Sequence, residues 1–183
     1  MNNTTLYLSS KSKYVTMLFV VMLCLLSIDT SIANENKYNA VLNIEDDTIF
    51  ISATLPISVF YNVDNNQNGI ISIDEFNTHK RRIKRKIHTH LYLSNQLYKF
   101  TVKDLKITPN AVKVNNAGIN TLALSGIFTM LIITKNLKLN MRLFSQNKPD
   151  SSYLITTKNN QKPVHQFTIS QSSPYNWIFN NEL

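Results

Sequence analysis

Leu137-Lys138-Leu139-Asn140-Met141-Arg142-Leu143 alternates apolar and polar side chains without a break. A strand turns successive side chains to opposite faces, so this period of two predicts a half-buried strand with its Leu and Met face inward. The same alternation flanks Glu45-Asp46-Asp47, through Tyr38, Ala40, Leu42 and Ile44 before it and Ile49, Ile51, Ala53 and Leu55 after it. That is the pattern of a strand hairpin, with Asp46 and Asp47 as turn residues and Pro56 ending the second strand. Tyr98, Phe100 and Val102 share one parity while Leu105 and Ile107 share the other, which places a bulge or bend near Lys103-Asp104. Val112 and Val114 suit a short strand. Val164, Phe167 and Ile169, then Tyr175, Trp177 and Phe179, suit two closing strands. Many short strands between turn signals predict a mainly β, β-sandwich-like fold.

One stretch competes with that reading. Val114 to Thr134 carries no charge and is rich in Leu, Ile and Phe. Asn115, Asn116, Gly118 and Asn120 gather at its start, so its apolar part falls short of the about 20 residues a membrane helix needs, and buried strands are expected.

Between the hairpin and the later strands the pattern changes. Asp64-Asn65-Asn66-Gln67-Asn68-Gly69-Ile70-Ile71-Ser72-Ile73-Asp74-Glu75 satisfies every fixed position of the EF-hand calcium loop, D-x-[DN]-x-[DN]-G-x5-E. Calcium takes six to eight oxygens, and the loop delivers them at alternating places. Asp64, Asn66 and Asn68 can each offer a side-chain oxygen, Ile70 its main-chain carbonyl, Ser72 a contact through water, and Glu75 both carboxylate oxygens. Gly69 stands where the backbone turns sharply, in a chain with only three glycines. Only Asp64 and Glu75 among these ligands are acidic, which predicts affinity in the weaker half of the EF-hand range.

Pro56, Val59 and Phe60 allow a short entering helix, stunted for an EF-hand. Ile73, Phe76, Ile83, Ile87 and Leu91 recur at helical spacing and predict a longer exiting helix with one apolar stripe, from which Lys80 must reach outward. The helix-loop-helix should therefore span residues 57–90, inserted in the β-rich domain. His79-Lys80-Arg81-Arg82-Ile83-Lys84-Arg85-Lys86 is the sharpest charge cluster in a chain of net charge +8. Clustered Lys and Arg attract anionic membrane surfaces or polyanions, here through Lys80, Arg81, Arg82, Lys84, Arg85 and Lys86. The rival explanation is a solvated face: Asp74 and Glu75 near the helix start and cations toward its end also suit the helix dipole. His79, His88 and His90 lack the cysteines or paired acids that complete a transition-metal shell.

The N-terminus has the pattern of a secretory signal. Lys11 and Lys13 precede an apolar run from Tyr14 to Ile28, and Ser31-Ile32-Ala33 offers a cleavage site, so residues 1–33 are expected to leave and Asn34 to begin the mature chain. A retained signal anchor is the alternative. Cys24, the one cysteine, lies in the apolar run, so the mature chain would have neither disulfide nor thiol nucleophile. The remaining about 150 residues, 34–183, suffice for one β-rich domain. The expected location is secreted or periplasmic.

The order of elements resembles the extracytoplasmic N-terminal region of hydrogenase and urease accessory membrane proteins of the HupE/UreJ type. The likeness rests on Leu55-Pro56 leading into Asp64-x-Asn66-x-Asn68-Gly69-x5-Glu75, then a helix, Leu91-Tyr92-Leu93 and the run from Leu137 to Phe144. It implies a β-sandwich-like domain interrupted by a calcium-binding helix-loop-helix, with the oxygen ligands carried onto the six residues named above. That family's metal-transport helices are not matched in residues 34–183, so a free-standing domain without a transport role is expected. No H-E-x-x-H, G-x-S-x-G, P-loop or G-x-G-x-x-G occurs, and no enzymatic role is expected. Three functions remain in view: a calcium-binding protein whose ion is structural, a polyanion or membrane-surface module using the basic helix 79–90, and a soluble metal-handling relative of a transporter's outer domain. A membrane protein is also an expected partner.

Overall fold

In the computed structural model, residues 37–111, 118–130 and 132–179 are described. The signal segment with Cys24, the cleavage site before Asn34, the Val112 and Val114 strand, and Leu131 lie outside them.

The acidic triplet turns the chain as its pattern requires. Strands β1 (Lys37–Glu45) and β2 (Thr48–Pro56) pair antiparallel from Glu45 opposite Thr48 to Ala40 opposite Ala53. Asp46 takes a φ of 46° in the two-residue turn, a left-handed conformation that Asp tolerates better than most side chains. After a 3-10 helix (Ile57–Val63) and a loop, α1 (Ile73–His90) passes directly into β3 (Leu91–Ser94). There follow β4 (Lys99–Thr101), β5 (Lys103–Ala111), β6 (Ile119–Thr129), β7 (Lys138–Met141), β8 (Ser152–Asn159), β9 (Lys162–Ser170) and β10 (Tyr175–Trp177).

Among the described residues these strands form two sheets, ordered β5-β6-β2-β1-β8-β9 and β10-β7-β3-β4. The pairing of β1 with β8 is parallel, and the other pairings are antiparallel. The edge strands of the larger sheet, β5 and β9, carry Pro109 and Pro163, a residue that an edge tolerates because it donates nothing to the ladder. At Val102 the chain leaves the smaller sheet and enters the larger. Asp104 has a φ of 50° and the register with β6 shifts between Lys103 and Lys106, so the expected bulge is present. It turns Val102, Leu105 and Ile107 all inward.

One core gathers the apolar faces of both sheets. Leu42, Ile51, Leu122, Leu124 and Ile155 from the larger sheet join Leu91, Leu93, Leu139 and Met141 from the smaller. The stretch from Ile119 onward is thus a buried strand, and no helix among the described residues is long and apolar enough to cross a membrane. Tyr153 is fully buried, its ring against Tyr38 and Phe144 and its hydroxyl donating to the Leu143 carbonyl.

Several side chains face otherwise than their spacing predicts. Ile73 is 44% exposed, because it lies in the first turn, about 60° of helix rotation from Phe76, and the stripe narrows to Phe76, Ile83 and Ile87. Val164 points outward, opposite in parity to buried Phe167 and Ile169. In β10, Tyr175 and Trp177 take the outer face over Lys138, while Ile178, just past the strand, is the buried residue. Tyr98 sits exposed in the turn before β4.

Candidate functional site

The segment from Asp64 to Glu75 folds back on itself. Ser72 is the N-cap of α1: its hydroxyl accepts from the Glu75 N–H at 3.2 Å, and Glu75 accepts from the Ser72 N–H at 2.9 Å. This reciprocal capping box satisfies two donors that a helix start otherwise leaves open. The second carboxylate oxygen of Glu75 reaches across the loop and accepts from the Asn65 N–H at 2.9 Å. One side chain therefore ties the end of the loop to its beginning. Glu75 is buried, and hydrogen bonds from the Ser72 N–H, the Ser72 hydroxyl and the Asn65 N–H hold its carboxyl below the ordinary value against the opposing effect of burial.

The other oxygens line the same turn. Asp64 accepts from the N–H groups of Asn68 at 3.3 Å and Gly69 at 2.8 Å, Asn66 Oδ1 from Asn68 N–H at 3.0 Å, and Asn68 Oδ1 from Ile70 N–H at 2.8 Å. Gly69 has a φ of +78°, where a side chain would strain the backbone. Of the six residues spaced as ligands, five side chains thus bond within the loop, and Ile70 contributes backbone alone. Among the described residues no three His, Cys, Asp or Glu side chains gather. Only Asp64 and Glu75 of the six are of those types, and the oxygens of the other four are amide, hydroxyl and carbonyl oxygens.

The 3-10 helix replaces the expected entering helix and is kinked at Phe60, which has φ −109° and ψ 35°. Pro56 precedes its first turn as the capping residue. Val59, Phe60 and Val63 are buried. Ile71 is buried as well, and its carbonyl accepts from the N–H of Ile119 at 2.8 Å, joining the loop to the start of β6. Gly118 makes this approach possible, since a Cβ there would lie 2.3 Å from Ile70 Cγ2 and 2.8 Å from the Ile71 oxygen. Neither contact is legible in the loop pattern, although the scarcity of glycine singles out Gly118.

The basic cluster divides among different surroundings. Lys80 extends outward over the Phe76 ring at 5.8 Å, as a cation on an apolar stripe must. Arg82 donates to the Asn62 carbonyl at 3.2 Å, and Lys86 donates to the Val59 carbonyl at 2.7 Å and sits over the rings of Phe60 and Tyr61. Arg81 and Arg85 are exposed, and Lys84 is half-buried. His79 meets Asn65 Oδ1 at 2.8 Å, about 13 Å of helix rise from His88. His90 lies at the other end, where burial and the charges of Lys86, Arg142 and Lys99 push it below its ordinary value. Neither a protein-family model nor a curated protein matches the chain.

Proposed function

We propose that the loop from Asp64 to Glu75 binds one calcium ion, and that the ion braces the fold. A single coincidence carries the reading: six residues spaced for oxygen ligation fall on one closed loop, turned at a left-handed glycine and tied end to end by Glu75. Asp64, Asn66, Asn68 and Glu75 would hold the ion through side chains, Ile70 through its carbonyl and Ser72 through a water. The donor set fits. The Asp64, Asn66 and Asn68 oxygens and Glu75 Oε1 each keep a lone pair beyond the N–H groups they accept, Glu75 Oε2 would gain one when the Ser72 hydroxyl turns from it, and all are hard oxygens. Bound calcium would supply the positive charge that lets two carboxylates and several dipoles share one small turn.

Bracing is favoured over switching by how the loop is held. Ile71 is bonded to β6, Phe76, Ile83 and Ile87 are buried in the core, and the entering segment is a single kinked 3-10 helix. A sensor needs a helix pair free to open. In the same reading the domain is β-sandwich-like with an EF-hand insertion, is exported, and catalyses nothing. Its resemblance to the outer region of HupE/UreJ-type membrane proteins then points to a membrane protein as its partner.

Thermal unfolding of metal-free protein, repeated across a calcium titration, tests the proposal. An ion that binds only the folded state raises the melting temperature as its concentration passes the dissociation constant. Glu75→Gln should remove that rise while retaining the β-sheet circular dichroism. No rise at millimolar calcium would refute the reading.

A further inference from the structure

Two adjoining cavities flank the C-terminal half of α1, of about 280 and 440 Å³, and Lys86 and His90 line both. The first opens between α1 and the 3-10 helix and adds Arg82 and Arg85. The second runs to the segment after β7 and adds Arg142, Gln146 and Gln171. No Asp or Glu among the described residues lines either.

The helix dipole alone does not explain this arrangement. It favours cations at this end of α1, Arg142 included, but its influence fades beyond the last turn, where Arg82 and Arg85 stand. Arg142 arrives from the end of β7, anchored by its N–H donating to the His90 carbonyl at 2.9 Å. Arg82, Lys86 and His90 recur every fourth residue and so share one face of α1, and Arg142 lines the second cavity beside Lys86 and His90. We propose that this groove binds a ligand carrying two phosphate groups, one held by Arg82, Arg85 and Lys86 and the other by His90 and Arg142. The proposal does not rest on the calcium reading.

Three properties suit such a ligand. Guanidinium groups match phosphate oxygens in forked pairs, and each cavity has its own. Arg82 and Lys86 are already fixed by the carbonyls of Asn62 and Val59, so less side-chain freedom is lost on binding. Burial also lowers Lys86, with Tyr61 opposing and Arg82 assisting, and His90 is lowered beside it. Crowded cations without a carboxylate are relieved by an anion. The two phosphates can belong to a soluble molecule or to a lipid headgroup.

Calorimetric titration with inorganic pyrophosphate and inorganic phosphate in calcium-free buffer, and flotation with phosphatidylcholine vesicles with and without cardiolipin, test the site. Pyrophosphate should bind at least about ten-fold tighter than phosphate, and binding should weaken with salt. Arg142→Gln and Arg82→Gln should each weaken it about ten-fold at an unchanged melting temperature. If Arg82→Gln unfolds the protein, exposed Arg142 still decides. Joint replacement of Lys80, Arg81 and Lys84 by Gln should leave binding unchanged. Binding to pyrophosphate alone identifies a soluble ligand, and binding to cardiolipin vesicles, with the same dependence on Arg142, a headgroup. Binding to neither probe, or an equal loss in the Lys80, Arg81 and Lys84 variant, overturns the site.

Discussion

Replacing Gly118 by Ala tests how tightly the loop is joined to the sheet. The added methyl would lie 2.3 Å from Ile70 Cγ2 and 2.8 Å from the Ile71 oxygen, against the about 3.5 Å at which such atoms rest comfortably. The two clashes differ in kind. Ile70 is 46% exposed and its side chain can turn away, whereas the Ile71 carbonyl is held by the N–H of Ile119 at 2.8 Å and moves only with the loop. Overpacking of this sort costs about 1–3 kcal/mol. For a domain of this size that lowers the melting temperature by about 2–12 °C. The expected signature, read by circular dichroism melts of Gly118→Ala and of Gly118→Ala with Ile70→Ala, is a clear loss in the first and only partial recovery in the second. Under the calcium reading, the single variant should also need more calcium for its stabilisation, because moving Ile71 displaces its neighbours Ile70 and Ser72. An unchanged melting temperature for Gly118→Ala would refute the close approach. Complete recovery in the double variant would show that the carbonyl contact is not limiting.

Gly69→Ala should also destabilise, but through the backbone: nothing lies within 4 Å of a Cβ there, while its φ of +78° costs a side chain about 1–2 kcal/mol. Its melting temperature should therefore not respond to Ile70→Ala. Tyr153→Phe leaves the buried Leu143 carbonyl without its donor and should cost about 1–3 kcal/mol in denaturant unfolding. Stability should fall with acid in two steps. His90 is pushed below its ordinary 6.5, so the unfolded chain takes up its proton first and stability declines as pH falls from that value toward the folded one. His90→Gln should flatten this step in melts at varied pH. Glu75 is held below its ordinary 4.5, so its contribution is complete above that value and disappears as pH falls through the lower folded one. Protein recovered outside the cytoplasm should begin at Asn34 on N-terminal sequencing, and a retained Met1 would count against cleavage.

The parts of this protein that local chemistry governs are legible in its residues. Alternation from Tyr38 to Leu55 marks a hairpin because side-chain parity is a property of each strand alone, and the acidic turn at Asp46 needs no distant partner. Parity breaks near Asp104, and the chain bulges there. The capping of α1 by Ser72 and Glu75 also lies within four residues, but the same two residues fit the calcium pattern, which hides the cap. β8 falls in a stretch that this reading leaves without an element, because its inward face includes Thr157, whose hydroxyl is satisfied by the His165 carbonyl at 3.2 Å. Ile178 escaped for a similar reason, since Tyr175 and Trp177 on the outer face are the larger aromatic signal.

For the candidate site the division is equally physical. Spacing by itself determined which oxygens, glycine and carboxylate share the loop from Asp64 to Glu75, because all lie within twelve consecutive residues and the turn is closed by its own hydrogen bonds. Only the tertiary structure decided what that loop is fastened to. The pairing of β1 with β8, the seating of Ile71 against Ile119 beside Gly118, and the arrival of Arg142 next to His90 join residues far apart in the chain. Such contacts form when the apolar faces of separate strands must be buried together, and no local pattern encodes which strands will meet.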